Sequence, residues 1–216
     1  MDKLQEHIAR LREDFMSGTL NETDVNRDPG VQFNTWLQQA VNASVPEVQA
    51  MTLATVSNES TPSSRIVYLR EFENNTFSFY TNYNSKKARD LDKNPFAALT
   101  FFWPDLERQI RIEGLVEKAS ARQSDAYYHA RPYDSKIGAW ASNQSHLLTS
   151  REDLDRRVEE LKQMFTPETI KRPEFWGGYI LIANYYEFWQ GRKSRLHDRI
   201  TYRLNNNNWV ISRIAP

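Results

Sequence analysis

The stretch Arg108-Gln109-Ile110-Arg111-Ile112-Glu113-Gly114-Leu115-Val116-Glu117-Lys118 decides the fold. Ile110, Ile112 and Val116 alternate with Gln109, Arg111 and Glu113, the period of two that a strand buried on one face requires. Upstream, the same rhythm marks Ala50 to Ser57, Arg65 to Arg70, Thr76 to Thr81 and Phe96 to Trp103. Short polar turns at Asn58-Glu59-Ser60 with Pro62, and at Asn74-Asn75, separate them. Five strands with short connections, before any long helix, predict an antiparallel barrel or sandwich. Downstream, Trp176 to Gln190, Arg199 to Leu204 and Trp209 to Ile214 read as strands, the last two joined by a hairpin turn at Asn205 to Asn208. Helical spacing occurs between and before them. Leu4, Ile8, Leu11 and Phe15 share one face. Val31 to Ala43 carries Phe33, Trp36, Leu37, Ala40 and Val41 on one side. Ser85 to Asn94 is a short helix with Ser85 as N-cap. Ala121 to Ala130 and Ser150 to Phe165 follow, the latter opening on a capping-box-like Ser150 and Asp153. Residues 1–30 are therefore expected to be a helix and a polar linker, and residues 31–216 a single α+β domain, a β-barrel with helices around it.

Composition narrows the chemistry. The chain has 216 residues, and its 28 Lys and Arg balance 28 Asp and Glu. A chain of this length buries roughly 70% of the surface its unfolded form exposes. Zero net charge argues against a protein that coats nucleic acid or anionic lipid. No cysteine is present, which excludes disulfides, thiolate metal sites and thiol nucleophiles. The four histidines, His7, His129, His146 and His197, never fall at i, i+3 or i+4, so no metal is expected. Only seven glycines occur, and neither G-x-G-x-x-G nor a P-loop exists. G-x-S-x-G is also missing, so a nucleophile elbow has no support. A phosphate bound here must be gripped by side chains. The opening Met1 to Glu6 has no apolar run and no stretch is long enough to span a bilayer, so a cytoplasmic protein is expected.

The charge is unevenly spread. In the first thirty residues four cations face seven anions. From Tyr186 to Pro216, Arg192, Lys193, Arg195, Arg199, Arg203 and Arg213 face Glu187 and Asp198. If Arg195 to Arg199 is extended, Arg195, His197 and Arg199 point to one face, where they repel unless an anion or an electron-rich ring lies opposite. Arg65 and Arg70 bracket an apolar strand, and solvated strand ends explain such a pair as readily as a ligand does. Lys86 and Lys87 open a helix whose dipole disfavours cations there, a conflict that a bound phosphate would remove and that a mobile surface pair would tolerate. A single-stranded nucleic acid stacked on Trp189 is one partner for the basic C-terminus. The balanced whole chain favours a small anionic ligand.

The stretch Glu187-Phe188-Trp189-Gln190-Gly191-Arg192-Lys193-Ser194-Arg195-Leu196-His197-Asp198-Arg199 resembles the C-terminal signature of the pyridoxine/pyridoxamine 5′-phosphate oxidase family. Further matches run in order through Arg65 to Arg70, Phe79 to Asn82, Ser85 to Ala88, Glu107 to Gln109, Arg131 to Trp140, Phe175 to Gly178 and Arg213 to Pro216. The resemblance covers nearly the whole chain. It implies an antiparallel split β-barrel of Greek-key type with surrounding helices, working as a homodimer with FMN at the subunit interface. It implies oxidation of pyridoxamine 5′-phosphate and pyridoxine 5′-phosphate to pyridoxal 5′-phosphate, with O2 as acceptor, H2O2 as product and NH3 released from the amine.

Position by position, Arg65, Lys86 and Lys87 match the grip on the FMN phosphate. The strand Arg65, Ile66, Val67, Tyr68, Leu69 and Arg70 is expected along the cofactor, with Tyr80, Thr81, Gln109, Gln144, Ser145, Trp189 and Arg199 as other contacts. Tyr127, Arg131 and Ser135 match the clamp for the substrate phosphate, and Arg70 a position touching both ligands. Arg195 and His197 match the catalytic pair over the substrate ring. Arg12 and Phe15 match a segment that folds over the site. Three positions depart from the family's pattern. Arg70 stands where Lys is frequent, Lys86 where an Arg-Lys pair is common, and Phe15 where some members have Tyr. A non-catalytic carrier on the same barrel would bind ligand without oxygen-dependent turnover, and a flavin reductase would oxidise NADH without a B6 substrate.

Overall fold

The computed structural model describes residues 18–216. The helix expected around Leu4 to Phe15, and with it Arg12 and Phe15, lies outside the described residues. In chain order the elements are α1 (Pro29–Asn42), β1 (Ala50–Val56), β2 (Pro62–Tyr68), β3 (Glu71–Glu73), β4 (Thr76–Asn82), α2 (Lys86–Lys93), β5 (Phe96–Trp103), β6 (Arg108–Lys118), α3 (Ala121–Ala130), α4 (Tyr133–Ala141), α5 (Arg151–Met164), β7 (Trp176–Gln190), β8 (Asp198–Asn205) and β9 (Asn208–Arg213). The α+β class is as expected. The strands pair in the order β2-β1-β5-β6-β7-β4-β3, with β8 on β7 and β9 on β8. The stretch that decided the fold is β6, with the expected bounds and alternating burial.

Three local expectations need correction. Pro62 is not in the turn. It is the first residue of β2, an edge position where its missing N–H costs no ladder bond. Helix α4 was not expected, because Tyr133 to Ala141 is short and has Gly138 near its middle. The run Arg195 to Arg199 is not extended. A 3-10 turn spans Lys193–Arg195, and β8 begins only at Asp198. Ser194 and Arg195 both have left-handed backbones, with φ of 57° and 61°. Alternation therefore does not put Arg195, His197 and Arg199 on one face.

The described residues form two compact units. One comprises residues 49–99 and 113–184, and the other residues 100–112 and 185–216 with the segment up to Val48. Strands β5, β6 and β7 each run through both. In the first unit Met51, Leu53, Phe77, Phe79, Leu99 and Leu181 are buried, and Phe79 stacks on Tyr179 at 5.7 Å. In the second, Phe33 meets Phe101 at 5.2 Å, and Phe188 meets Trp36 at 5.2 Å and Tyr202 at 5.6 Å. Such aromatic pairs contribute about 0.5–1.5 kcal/mol each beyond their buried area. Helix α1 starts where Asp28 Oδ1 accepts from the N–H of Gly30 and Val31, and Pro29 fills a first-turn position that needs no donor.

Candidate functional site

The first unit contains a cavity of about 790 Å³. Strand β2 supplies Arg65, β4 supplies Tyr80 and Thr81, α2 supplies Lys87, α3 supplies Tyr127, α4 supplies Ser135 and β7 supplies Trp176. Arg131 comes from the break between α3 and α4. It precedes Pro132, which bars the helical region to it, and its ψ of 150° carries it out of the helix toward the cavity. One wall is an aromatic stack, with Tyr80 and Tyr127 at 3.8 Å and Trp176 5.8 Å from Tyr80. That packing needs glycine on β7. Gly178 pairs with Tyr80 across the sheet, and a Cβ there would lie 2.9 Å from its ring.

The electrostatics are one-sided. Arg65, Arg70, Lys87 and Arg131 line the cavity, and none of its described lining residues is Asp or Glu. Lys87 is buried at 8% exposure. Its Nζ donates to three neutral oxygens, Thr81 Oγ1 at 3.0 Å, Gln144 Oε1 at 3.2 Å and Ser85 Oγ at 3.3 Å. Burial first, and the Arg65 charge second, push its pKa down to about 8. Burial also lowers the pKa of Arg131, whose guanidinium lies 4.5 Å over the Trp176 ring. Among the described residues Arg131 Nη1 and Tyr80 Oη are buried without a hydrogen-bond partner. Burial raises the Tyr80 hydroxyl to about 12. Buried donors left open are costly, and an anionic ligand with several acceptor oxygens would satisfy them.

The two adjacent lysines have different roles. Lys86 is half-exposed, pairs with Asp90 Oδ2 at 3.0 Å and does not line the cavity. Ser85 is the N-cap of α2 by position, but its side chain receives Lys87 rather than a backbone N–H. Of the expected contacts, Arg65, Ile66, Val67, Tyr68, Arg70, Tyr80, Thr81, Lys87, Tyr127, Arg131, Ser135 and Gln144 come together on this cavity. Leu69 is buried outside its lining, and Ser145 lines a second cavity of about 500 Å³. Sequence reasoning missed Trp176 and Asn82 as lining residues. Both lie inside the quoted motifs, so their neighbours were the available signal.

The second unit holds Gln109, Trp189, Arg195, His197 and Arg199. His197 Nδ1 accepts the backbone N–H of Arg192 at 3.1 Å, so the neutral ring carries its proton on Nε2. Burial and then the Arg195 charge lower its pKa. The Trp189 ring is 4.6 Å from it. Arg199 is held by the buried carboxylate of Glu187 at 2.8 Å, which also accepts from Arg111 at 3.0 Å. Arg195 is exposed and makes no ion pair among the described residues. No group of His, Asp or Glu among the described residues could hold a metal ion, and no described helix is long and apolar enough to cross a membrane.

Residues 37–165 match the family described as pyridoxamine 5′-phosphate oxidase. Residues 176–216 match the pyridoxine 5′-phosphate oxidase C-terminal dimerisation region. The chain belongs to the pyridoxine/pyridoxamine 5′-phosphate oxidase family. It is similar to the pyridoxine/pyridoxamine 5′-phosphate oxidase of Acaryochloris marina, 49% identical over 216 residues, covering 100% of this chain and 99% of the relative. The enzyme of the same name from Polynucleobacter asymbioticus is 51% identical over 209 residues, 97% of this chain and 99% of its own. Among solved structures, PhzG of Burkholderia lata superposes with a TM-score of 0.86 at 28% identity, over 92% of this chain and 98% of that one. A pyridoxamine 5′-phosphate oxidase-related FMN-binding protein from Nostoc punctiforme superposes with a TM-score of 0.71 at 18% identity, over 89% and 100%, and shows the shared fold. This member of the pyridoxine/pyridoxamine 5′-phosphate oxidase family is an oxidoreductase with the expected split-barrel fold.

Proposed function

We propose that this chain is an FMN-dependent oxidase that converts pyridoxamine 5′-phosphate and pyridoxine 5′-phosphate to pyridoxal 5′-phosphate. O2 takes the two electrons and becomes H2O2, and water replaces the amine as NH3 when pyridoxamine 5′-phosphate reacts. The observation that carries the reading is the cavity itself, with four cations, no lining carboxylate and two open buried donors. Two phosphorylated aromatic molecules, cofactor and substrate, suit its cationic ends and its aromatic wall.

The residues fit FMN. Arg65 and Lys87 would hold its phosphate, with Tyr80, Thr81 and Gln144 as further contacts. When bound, FMN supplies a hydride acceptor for the substrate carbon bearing the amine or alcohol. Arg131, Tyr127 and Ser135 hold the substrate phosphate, and binding energy at that remote group fixes the reacting carbon in place. Arg195 orients the substrate, and as a guanidinium, which offers donors and no acceptor, it is not the base. His197 presents a protonated Nε2. The chain works as a homodimer with the cofactor at the subunit interface, in keeping with the dimerisation region matched by residues 176–216, and acts in the cytoplasm.

The deciding experiment adds pyridoxamine 5′-phosphate to the FMN-loaded protein. Bleaching of the yellow colour without oxygen, and peroxide with pyridoxal 5′-phosphate in its presence, is the expected result. Retained colour, or NADH oxidation in place of both, would remove the assignment.

Lys87 gives the binding step a pH signature. Its folded pKa of about 8 lies below the ordinary 10.5. Holding the charge therefore costs stability, about 3 kcal/mol, below pH 8, and the cost disappears as pH rises from 8 to 10.5. An FMN phosphate, already a dianion above its second pKa of about 6, returns the Lys87 pKa upward. Binding FMN at pH 9 is thus expected to take up close to one proton, read by calorimetry in buffers of different ionisation enthalpy. Lys87→Met should abolish the uptake. Equal uptake in that variant would place the linked group elsewhere.

A further inference from the structure

Asp90 lines neither of the two cavities described above and is 5% exposed, yet four hydrogen bonds converge on its carboxylate. Thr55 Oγ1 donates to Oδ2 at 2.8 Å and Ser63 Oγ donates to Oδ2 at 3.1 Å. Lys86 Nζ lies 3.0 Å from Oδ2 and 3.2 Å from Oδ1. The same two hydroxyls receive the Arg65 guanidinium. Nη1 donates to Thr55 Oγ1 at 2.8 Å and Nη2 to Ser63 Oγ at 2.7 Å, while Nη1 also donates to the carbonyl of Leu53 at 3.1 Å. The β1–β2 register produces this cluster, since Ser63 pairs with Thr55 and Arg65 with Leu53.

A hydroxyl has one proton to give. Once Thr55 and Ser63 give theirs to Asp90, both oxygens can offer Arg65 nothing but lone pairs. Arg65 can only donate, so what the carboxylate fixes is the rotation of each hydroxyl, and with it where the lone pairs that receive Arg65 point. The two bonds from Arg65 to these hydroxyls and the one to the Leu53 carbonyl occupy three of the five guanidinium N–H groups, which leaves two for a ligand in the cavity that Arg65 lines. Asp90 also offsets a repulsion, because Arg65 and Lys86 both donate to Ser63 Oγ, at 2.7 and 3.1 Å.

We propose that Asp90 is a positioning residue for the phosphate grip, acting on Arg65 through the hydroxyls of Thr55 and Ser63 and holding Lys86 beside it. This rests on the reading that the cavity binds the FMN phosphate. The proposal has an unusual sign. As a bare charge, a carboxylate near an anion site opposes binding, so its removal would tighten FMN. As a positioning group, its removal loosens FMN.

The test measures FMN dissociation constants by flavin fluorescence for the full chain and its variants, with thermal melting of each cofactor-free protein alongside. Asp90→Ala lets the hydroxyls turn and is expected to weaken FMN about ten-fold, the equivalent of one lost hydrogen bond to a charged group. Asp90→Asn keeps a carbonyl oxygen for both hydroxyls while removing the charge. It gives up the ion pair to Lys86 and is expected to loosen FMN by much less than Asp90→Ala does. Thr55→Val combined with Ser63→Ala removes the relay with Asp90 in place. It should weaken FMN to a similar degree, and it carries the test if Asp90→Ala does not fold. Unchanged or tighter binding by Asp90→Ala, equal losses in the Ala and Asn variants, or unchanged affinity in the double variant would each overturn the proposal. Failure of the unaltered protein to bind FMN would instead sink the functional reading beneath it.

Discussion

Replacing Arg195 by leucine is expected to leave a yellow, folded protein that turns over about 10²–10³-fold more slowly, the usual loss when a group aimed at the reacting centre is removed. The fold should tolerate the change. Arg195 is exposed and forms no ion pair among the described residues. Its left-handed φ of 61° is a strain that any L residue with a side chain bears, so leucine adds little of its own. Conformational strain held at an exposed position is consistent with a side chain kept there for its direction rather than for packing. The substitution has a second, independent consequence. The Arg195 charge is one of the causes that lower the His197 pKa. Without it the His197 pKa should rise, and the acid limb of the pH–rate profile should move to higher pH. Flavin absorbance, the anaerobic bleaching rate and the pH profile check the three statements together. Normal turnover by flavin-loaded Arg195→Leu would take Arg195 out of the reaction.

The fold was largely legible because its strands carry the signal that sequence reports best. Arg108–Lys118 alternates in sequence and in burial alike. What sequence could not report is which of two chemically equal neighbours turns inward. Lys86 and Lys87 are adjacent lysines, but one residue step on a helix rotates a side chain by roughly 100°. Lys87 therefore points into the cavity among neutral oxygens, while Lys86 reaches one turn on to Asp90. Arg195 to Arg199 failed as an extended strand for a related reason. Two consecutive left-handed residues that are neither Gly nor Asn leave no local mark, since tertiary surroundings impose them. Asp90, Thr55 and Ser63 carry no motif either. Their meeting depends on the pairing register of β1 and β2 and on the seating of α2, and pairwise register has no trace in a single strand's pattern. Arg131 lies between these cases. Its place before Pro132 is a readable break, whereas its burial against Trp176 is a product of packing.

Arg131→Ala should separate binding from stability, with opposite signs. The wild-type protein keeps a guanidinium partly buried with Nη1 unpartnered among the described residues, over the Trp176 ring rather than beside a carboxylate. Desolvating a cation without an anionic partner costs free energy in the ligand-free protein. Removing it relieves that cost while opening some packing space, so the ligand-free protein should melt at the same temperature or higher. Substrate binding should suffer heavily. Charge-assisted hydrogen bonds to a phosphate contribute about 1.5–3 kcal/mol each, so losing one or two raises KM for pyridoxamine 5′-phosphate about 10²-fold. FMN affinity should change far less, because Arg65 and Lys87 remain. An unphosphorylated analogue supplies the internal control, since it has no phosphate for Arg131 to hold and its weak turnover should barely respond. The decisive quantity is the ratio of kcat/KM for the phosphorylated substrate to that for the unphosphorylated one. If Arg131 is the clamp, Arg131→Ala collapses this ratio, whereas a residue that merely shaped the wall would lower both values together and leave it intact.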